Sequence, residues 1–343
     1  MVTGIAELPL HYGKCPAWLF KRMKLLAREI SKAIIMEYGK KEFLERLSDP
    51  YFFQSFGCVL GFDWHSSGLT TTVCGALKEA SLEDYGIAVL GGKGKTSRKV
   101  PSELEKVAEE FGFSYERTEK LKRISRLVAK VDSSCLQDSF DLYHHTFIVD
   151  EKGNWAVIQQ GMNESTQYAR RYHWMNSFSF DEPHKAICCD KKVKPLNLVD
   201  REVGETRKAM VEIVREKHTL LAKYVKGSLF MPRNHYISKE EYKRIEEASK
   251  KQPENFEELL LSPLGKKSLR ALALISNLIY GTKLSWKDPV KYSFAHGGKD
   301  RVPYPLDKRT YDRSIKTLRE ALEMAELGRK EKLNALKRLV NLF

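Results

Sequence analysis

Segments that favour β-structure are confined to the first half of the chain, and this division constrains the fold more than any other feature. Two short buried-type runs, Cys58–Phe62 and Gly86–Leu90, flank a helical segment over Thr71–Glu83. This order predicts two parallel strands in a β-α-β arrangement, because a helix links them. From Pro195 onward the apolar periodicity is helical throughout.

The rest of the first half predicts a hairpin and several helices. Residues 142–149 and 154–159 alternate around a turn at 150–153, which is typical of two antiparallel strands. Helices are predicted over 16–47, 101–111, 116–132, 199–226, 238–249, 254–261, 267–280 and 308–342. We therefore expect an α/β or α+β N-terminal domain, residues 1–190, with a mixed sheet and flanking helices. An all-α domain, residues 191–343, follows it.

The charge balance favours a polyanionic partner. Lys and Arg number 59 against 45 Asp and Glu, which gives a net charge of +14 among 343 residues. A surplus of this size is typical of proteins that bind nucleic acid, and DNA is the expected partner ahead of RNA. The oligomeric state is left open by the sequence.

Two classes of protein are disfavoured. No apolar run approaches the ~18–20 residues that cross a bilayer, and the N-terminus lacks a basic start followed by an apolar stretch, so we expect a cytoplasmic protein with no membrane partner. The six cysteines include no CxxC pair, which argues against a zinc ribbon and a disulfide framework.

A turn between two predicted helices carries the strongest motif of the second half. Leu264-Gly265-Lys266-Lys267 resembles a helix-hairpin-helix element, although Pro263 replaces its first glycine. Such a turn points backbone N–H groups and the positive helix end towards a DNA phosphate. Gly265, Lys266 and Lys267 are therefore predicted to bind nucleic acid, and an ordinary helix pair with a glycine turn is the alternative.

The segment after this element offers two further interpretations. In the glycosylase form of the element an Asp follows the second helix, and Asp288 stands near that place but several residues late, where it also suits a simple turn before Pro289. The irregular stretch 292–305 contains two adjacent glycines and two prolines. Long loops of this type are often functional, so His296 and Lys299 are candidates for contacting phosphate or base.

The predicted hairpin contains the candidate catalytic residues. His144 and His145 precede Asp150 at the turn, and Gly161 and Asn163 follow the second strand. The order resembles the phospholipase D-type phosphodiesterase motif, in which a His attacks phosphorus and an Asn holds a phosphate oxygen. The Lys of that motif is missing, because Phe147 occupies its position. The alternative is that one of the two adjacent histidines is merely a half-buried strand residue.

A second catalytic candidate follows the first predicted strand. Asp63 and His65 would lie at a strand's carboxyl end, where open α/β sheets bind ligands. Together with His145 they could hold a divalent metal of the hydrolytic kind, and no other cofactor is predicted.

Basic residues elsewhere extend the predicted nucleic-acid surface. Lys93 and Lys95 lie in a glycine-rich strip that could follow a phosphodiester chain. Arg170 and Arg171 stand beside aromatic residues on a segment predicted to be helical, a combination that suits phosphate contact and base stacking.

Several phrases of the chain resemble one known family. They are Gly4–Gly13, Asp63–Gly68, Val157–Asn163, Arg170–Trp174 and Phe294–Asp300. All of them are similar to the family called domain of unknown function 763, found mainly in archaea and thermophilic bacteria. The resemblance spans nearly the whole chain and implies a thermophilic cytoplasmic protein, but no settled activity.

The residues together favour a DNA-processing enzyme, a nuclease or phosphodiesterase of repair. In this hypothesis the N-terminal domain carries the chemistry and the helical domain grips the backbone. A non-catalytic DNA- or RNA-binding protein and a base-excision glycosylase are the alternatives.

Overall fold

An antiparallel sheet forms the centre of the protein. A computed structural model describes residues 15, 17–61, 67–188, 193–225, 237–290, 316–317, 319–324 and 328–340. Five strands pair in the order β1-β3-β4-β5-β6, and every pair is antiparallel. The strands are β1 (Ile87–Lys93), β3 (Asp141–Asp150), β4 (Trp155–Asn163), β5 (Tyr168–Met175) and β6 (Ala186–Cys188), and a separate pair is made by β2 (Leu136–Gln137) and β7 (Leu196–Asn197).

Helices cover both faces of this sheet. They are α1 (Ala17–Tyr38), α2 (Lys40–Ser48), α3 (Pro50–Val59), α4 (Ser67–Lys78), α5 (Val100–Phe111), α6 (Tyr115–Lys130), α7 (Gly204–Glu216), α8 (Lys239–Lys250), α9 (Phe256–Leu261), α10 (Lys266–Tyr280) and α11 (Arg329–Val340). The fold is therefore of mixed helix and sheet composition, as expected. None of the described helices combines the length and the apolar composition that a bilayer crossing requires.

Alternate residues of the strands feed two separate hydrophobic cores. On one face, Ile148 and Ile158 pack among residues of α1–α4, together with Leu322 and Ala335 from the C-terminal region. On the other, Phe147 and Trp174 belong to a cluster that reaches Leu269 of α10. This second cluster contains residues from both sides of position 190, and the division of the chain into two domains there stays a prediction.

The predicted β-α-β unit is wrong. Cys58 and Val59 end helix α3, whose first turn begins at Pro50 and is capped by the Asp49 side chain. The strand at Ile87–Lys93 pairs antiparallel with β3 instead. The run around Cys58 is apolar because it is wholly buried, and a short buried run has the same composition in a helix as in a strand.

The segment Arg170–Trp174 is also corrected, from helix to strand. It lies in β5, in register with β4, where Trp174 is opposite Val157. The hairpin prediction is confirmed by β3 and β4, and the capping box at Ser238 and Glu241 begins α8 as its sequence indicates.

Glycine is required where β1 meets its neighbours. Gly91 has φ +81°, and a Cβ there would stand 2.2 Å from the carbonyl oxygen of His145 on β3. Its own N–H donates to the Glu103 carboxylate at 2.7 Å, and its carbonyl accepts from Lys78 Nζ at 2.8 Å. Lys78 and Glu103 also form an ion pair at 2.8 Å, so the two side chains bracket the backbone of the edge strand.

We expect Gly91→Ala to destabilise the fold more than Gly112→Ala. Gly112 has φ +66°, and a Cβ added there would meet no atom within 4 Å. Its replacement by Ala therefore costs only the strain of a left-handed backbone, about 1–2 kcal/mol. Gly91→Ala adds a clash with a neighbouring strand, worth a further ~1–3 kcal/mol. Urea unfolding of both variants measures the difference in their free energies of unfolding. Equal losses of stability would show that the close approach of β1 and β3 at Gly91 adds no cost.

Candidate nucleic-acid interface

His144 and His145 lie side by side on β3, point to opposite faces of the sheet, and are both buried. His145 Nε2 is 2.8 Å from Ser125 Oγ, and its Nδ1 is 2.8 Å from Gln159 Oε1. Burial lowers the pKa of His145 to about 4, so the ring is neutral at pH 7. Both ring nitrogens are thus used inside the protein, which leaves neither to attack phosphorus or bind a metal in this arrangement.

His144 occupies an internal position as well. Its Nε2 lies 2.9 Å from the Thr146 hydroxyl, and burial, with the nearby His145 and Lys93, lowers its pKa to about 3. Its Nδ1 is buried and has no hydrogen-bond partner among the described residues. Both histidines are therefore strand residues, as the alternative interpretation had it for one of them, and both are buried more deeply than the half-buried position it expected.

Asp150 and Asn163 shape turns. The Asp150 carboxylate accepts from the N–H groups of Lys152 and Asn154 at 2.9 and 2.8 Å, which closes the β3–β4 turn. Asn163 Oδ1 accepts from Ser165 N at 3.1 Å at the far end of β4. These two side chains lie at opposite ends of one hairpin, so the structure does not bring them together with His145 as a phosphodiesterase motif requires.

Four of the predicted site residues lie outside the described residues: Asp63, His65, His296 and Lys299. The metal-binding roles predicted for Asp63 and His65 therefore stay predictions, whereas His145 uses both of its ring nitrogens inside the protein. Within the described ranges, no group of three or more His, Cys, Asp or Glu side chains is arranged to hold a metal ion.

Arg170 and Arg171 are fully buried, which corrects their assignment to a phosphate-facing surface. The Arg170 guanidinium forms ion pairs with Asp138 at 3.0 Å and with Asp288 at 2.9 Å. Arg171 donates to Gln54 Oε1 at 3.0 Å on the other face of the sheet. Their charges are thus used inside the fold because β5 is a central strand, which the helical assignment of this segment did not anticipate.

Asp288, the candidate glycosylase acid, is the partner of Arg170. Its two oxygens accept from Arg170 at 3.1 and 2.9 Å, and also from the N–H groups of Val290 and Val193 at 3.1 and 2.7 Å. A carboxylate with four donors around it anchors its segment, and nothing in this geometry favours the glycosylase alternative.

Lys93 and Lys95 lie where the glycine-rich strip was expected to expose them. Lys93 ends β1, and a 3-10 helix, Gly94–Lys99, continues from it with Lys95, Arg98 and Lys99. All four basic side chains are exposed, and none forms an ion pair with a described residue. Four unpaired cations within seven residues create a strongly positive surface strip.

The second basic group surrounds the first turn of α10. Gly265 is the N-cap of this helix, with Lys266 and Lys267 exposed directly after it. Lys130 Nζ donates to the Leu264 carbonyl at 2.8 Å, and a side chain at Gly265 would meet the Arg244 guanidinium at 3.6 Å. Four cations from three helices therefore gather at a helix N-terminus, which itself favours anions.

Both groups lie at the same end of the sheet. Lys93 pairs in register with His144 on β3, while Lys266 forms an ion pair of 2.6 Å with Asp141 at the start of that strand. Three residues of strand, about 10 Å at ~3.3 Å each, separate the two attachment points. We call this surface the basic end, and it consists of Lys93, Lys95, Arg98, Lys99, Lys130, Arg244, Lys266 and Lys267.

An exposed aromatic ring accompanies the basic end. Trp286 is 42% exposed, and the guanidinium of Arg270, one turn after Lys266 on α10, lies 5.9 Å from the centre of its ring. Sequence reasoning missed Trp286, Arg270, Lys130 and Arg244. No local pattern marks them, since they meet only through contacts more than 15 residues apart in the chain.

Comparison with known proteins shows that one family model, described as "Protein of unknown function (DUF763)", matches residues 4–306 of the chain. The resemblance drawn from the sequence is thereby confirmed. No curated protein and no solved structure matches this chain.

The buried histidines predict how stability depends on pH. An unfolded His has a pKa near 6.5, above the value of about 4 for folded His145. The unfolded state therefore binds the proton more tightly, and stability is complete above pH 6.5 and lost as the pH falls towards 4. We expect the free energy of unfolding to fall less steeply over this range in His145→Gln. Val157→Ala, a non-titrating core variant, should lower stability and keep the wild-type slope; an unchanged slope in His145→Gln would contradict the prediction.

Proposed function

We propose that this chain, which belongs to the DUF763 family, binds nucleic acid at the basic end of its sheet. The observation that carries the proposal is the convergence of two basic groups that are 160 or more residues apart in the chain, at Lys93–Lys99 and at Lys266–Lys267. Cations so arranged suit a polyanion whose charges repeat every few ångströms.

The local chemistry supports nucleic acid ahead of a single small anion. The strip from Lys93 to Lys99 is exposed and unpaired, so its side chains can follow a phosphate backbone instead of closing around one group. The N-terminus of α10 offers backbone N–H groups to one phosphate beside Lys267. Trp286 with Arg270 supplies an aromatic face on which a base can stack.

The turn between α9 and α10 supports the helix-hairpin-helix interpretation in part. It joins two helices through Ser262–Gly265 and presents a glycine N-cap followed by two lysines. In the proposal this turn holds one phosphate while the 3-10 helix holds others further along the strand. Phosphate contacts of this kind fix position without reading sequence, so binding should be general in sequence.

A nuclease activity is the second candidate, and one contact favours it. Gln160 Nε2 donates to the Ser67 carbonyl at 2.9 Å, which ties the start of α4 to the sheet beside Tyr143. Asp63 and His65 precede Ser67 by only four and two residues. The start of α4 therefore lies at the end of the sheet where Gln160 and Lys93 pair with His144, and the nuclease proposal assigns the catalytic groups to Asp63 and His65.

Removal of the strip should weaken binding and its salt dependence. In the variant Lys93→Ala, Lys95→Ala, Arg98→Ala, Lys99→Ala, we expect lower affinity for every sequence tested. The slope of log affinity against log salt on duplex DNA should shrink by up to about 0.9 for each lost contact. Fluorescence anisotropy with labelled single- and double-stranded DNA and RNA measures both quantities.

The matched control removes the same charges elsewhere. The variant Lys120→Ala, Lys152→Ala, Arg201→Ala, Lys208→Ala also loses three lysines and one arginine, all exposed and on other surfaces. It should keep most of the wild-type affinity. Equal losses of affinity in the two variants would mean that net charge alone, and not the position of the strip, determines binding. Wild-type affinity that does not change with salt would overturn the proposal.

Cleavage is tested separately from binding. If Asp63 and His65 carry a metal-assisted reaction, labelled DNA incubated with Mg²⁺ or Mn²⁺ should be cut by the wild type and left intact by His65→Ala at unchanged affinity. Denaturing gels measure the products. DNA that is retarded but never cut by the wild type would exclude the nuclease and leave the binding function.

A further inference from the structure

A second site is a cavity of about 170 Å³ beside β6 and β7. His184, Asp200 and Asp288 line it together with Glu182 and Lys287. None of the sequence motifs pointed to His184. A dry cavity of ~150 Å³ holds a benzene molecule, so the volume suits a compact ligand of about that size or slightly larger.

His184 is held in one orientation by a buried carboxylate. Its Nε2 lies 2.5 Å from Asp132 Oδ1, and Asp132 belongs to a π-helical turn, Val131–Cys135, directly after α6. The other oxygen of Asp132 accepts from Trp174 Nε1 at 2.9 Å and from Gln159 Nε2. The imidazole also packs against the Trp174 ring, with 4.5 Å between their centres.

The direction of each hydrogen bond follows from these partners. Ionised Asp132 only accepts, so Gln159 Nε2 and His184 Nε2 both donate to it. Gln159 Oε1 is then an acceptor for His145 Nδ1–H. In neutral His184 the proton sits on Nε2, which leaves Nδ1 with a lone pair as the ring's hydrogen-bond acceptor for a ligand.

The charged groups around the cavity leave a surplus of acceptors. Asp288 is neutralised by Arg170, and Lys287 is paired with Glu202 at 2.6 Å. Asp200 and Glu182 form no ion pair with any described residue. Burial opposes the charge on Asp200, but hydrogen bonds from the Ser285 hydroxyl and the Glu202 N–H outweigh it together with the nearby charges of Lys287 and Arg207, so the pKa of Asp200 is lowered.

We propose that the cavity binds a small organic cation whose ammonium or amidinium N–H groups donate to His184 Nδ1 and to the carboxylates of Glu182 and Asp200. Three carboxylates but only one lysine line the cavity, so a neutral ligand would leave this negative surplus in place and an anion would be repelled by it. The Asp132 contact fixes the tautomer that accepts from the ligand, so Asp132 is a positioning residue for this site.

Three ligands of the same chain length test the proposal: putrescine, 1,4-butanediol and succinate. We expect calorimetry on the full chain to detect binding of putrescine, the dication, and no binding of the neutral diol or the dianion. Glu182→Gln and His184→Gln should each lower the affinity for putrescine at least tenfold, which is the effect of losing one charge-assisted contact. Glu182 is exposed, so its variant tests the site even if His184→Gln perturbs the fold.

A control variant and a spectroscopic signature complete the test. Glu164→Gln removes an exposed carboxylate from the β4–β5 turn and should leave putrescine affinity unchanged. In long-range ¹H–¹⁵N spectra of the histidine rings, putrescine should shift Nδ1 of His184 and leave both nitrogens of His145 in place. Absence of putrescine binding, equal binding of the diol, or equal weakening by Glu164→Gln would overturn the proposal.

Discussion

The Arg170 ion-pair cluster holds together parts of the chain that no local structure connects. Its buried guanidinium lies on β5 and forms ion pairs with Asp138, which precedes β3, and with Asp288, which follows α10. The Tyr172 hydroxyl also donates to Asp138 at 2.8 Å. Removal of one partner from such a cluster typically costs about 3–5 kcal/mol, because the other charge stays buried. The segment around Asp288 carries both Trp286 and a wall of the cavity, so both surfaces depend on this internal contact.

Local signals were sufficient for part of the fold. The hairpin around Asp150 and the helix predicted over 238–249, which a capping box at Ser238 begins, are formed by neighbours in sequence, and both predictions are confirmed. The run around Cys58 and the segment containing Arg170 were assigned wrongly for one reason. Where a segment is buried on all sides, its residues lack the alternation or 3.6-residue period that separates strand from helix.

The sequence correctly predicted the exposed lysines of the candidate site but not the environment of its buried polar residues. Lys93, Lys95, Lys266 and Lys267 are exposed as their context indicates. His144, His145 and Arg171 have the side chains of a reactive centre, yet they are buried polar residues, and the partners of His145 and Arg171 come from other segments of the chain. The same limitation hid His184, because its orientation depends on Asp132, which lies 52 residues earlier in the chain.

The bracketing of Gly91 by Lys78 and Glu103 bears on how copies of this chain behave at high concentration. An edge strand with free backbone N–H and C=O groups invites a second sheet to dock and begin an aggregate. Here charged side chains already occupy both polar groups of Gly91, and the 3-10 helix turns the chain away directly after Lys93. Among the described residues, β6 at the opposite edge spans Ala186–Cys188. The β1 border is thus a poor template for intermolecular β-pairing at Gly91, and copies of the chain should associate through it less readily than through an open edge.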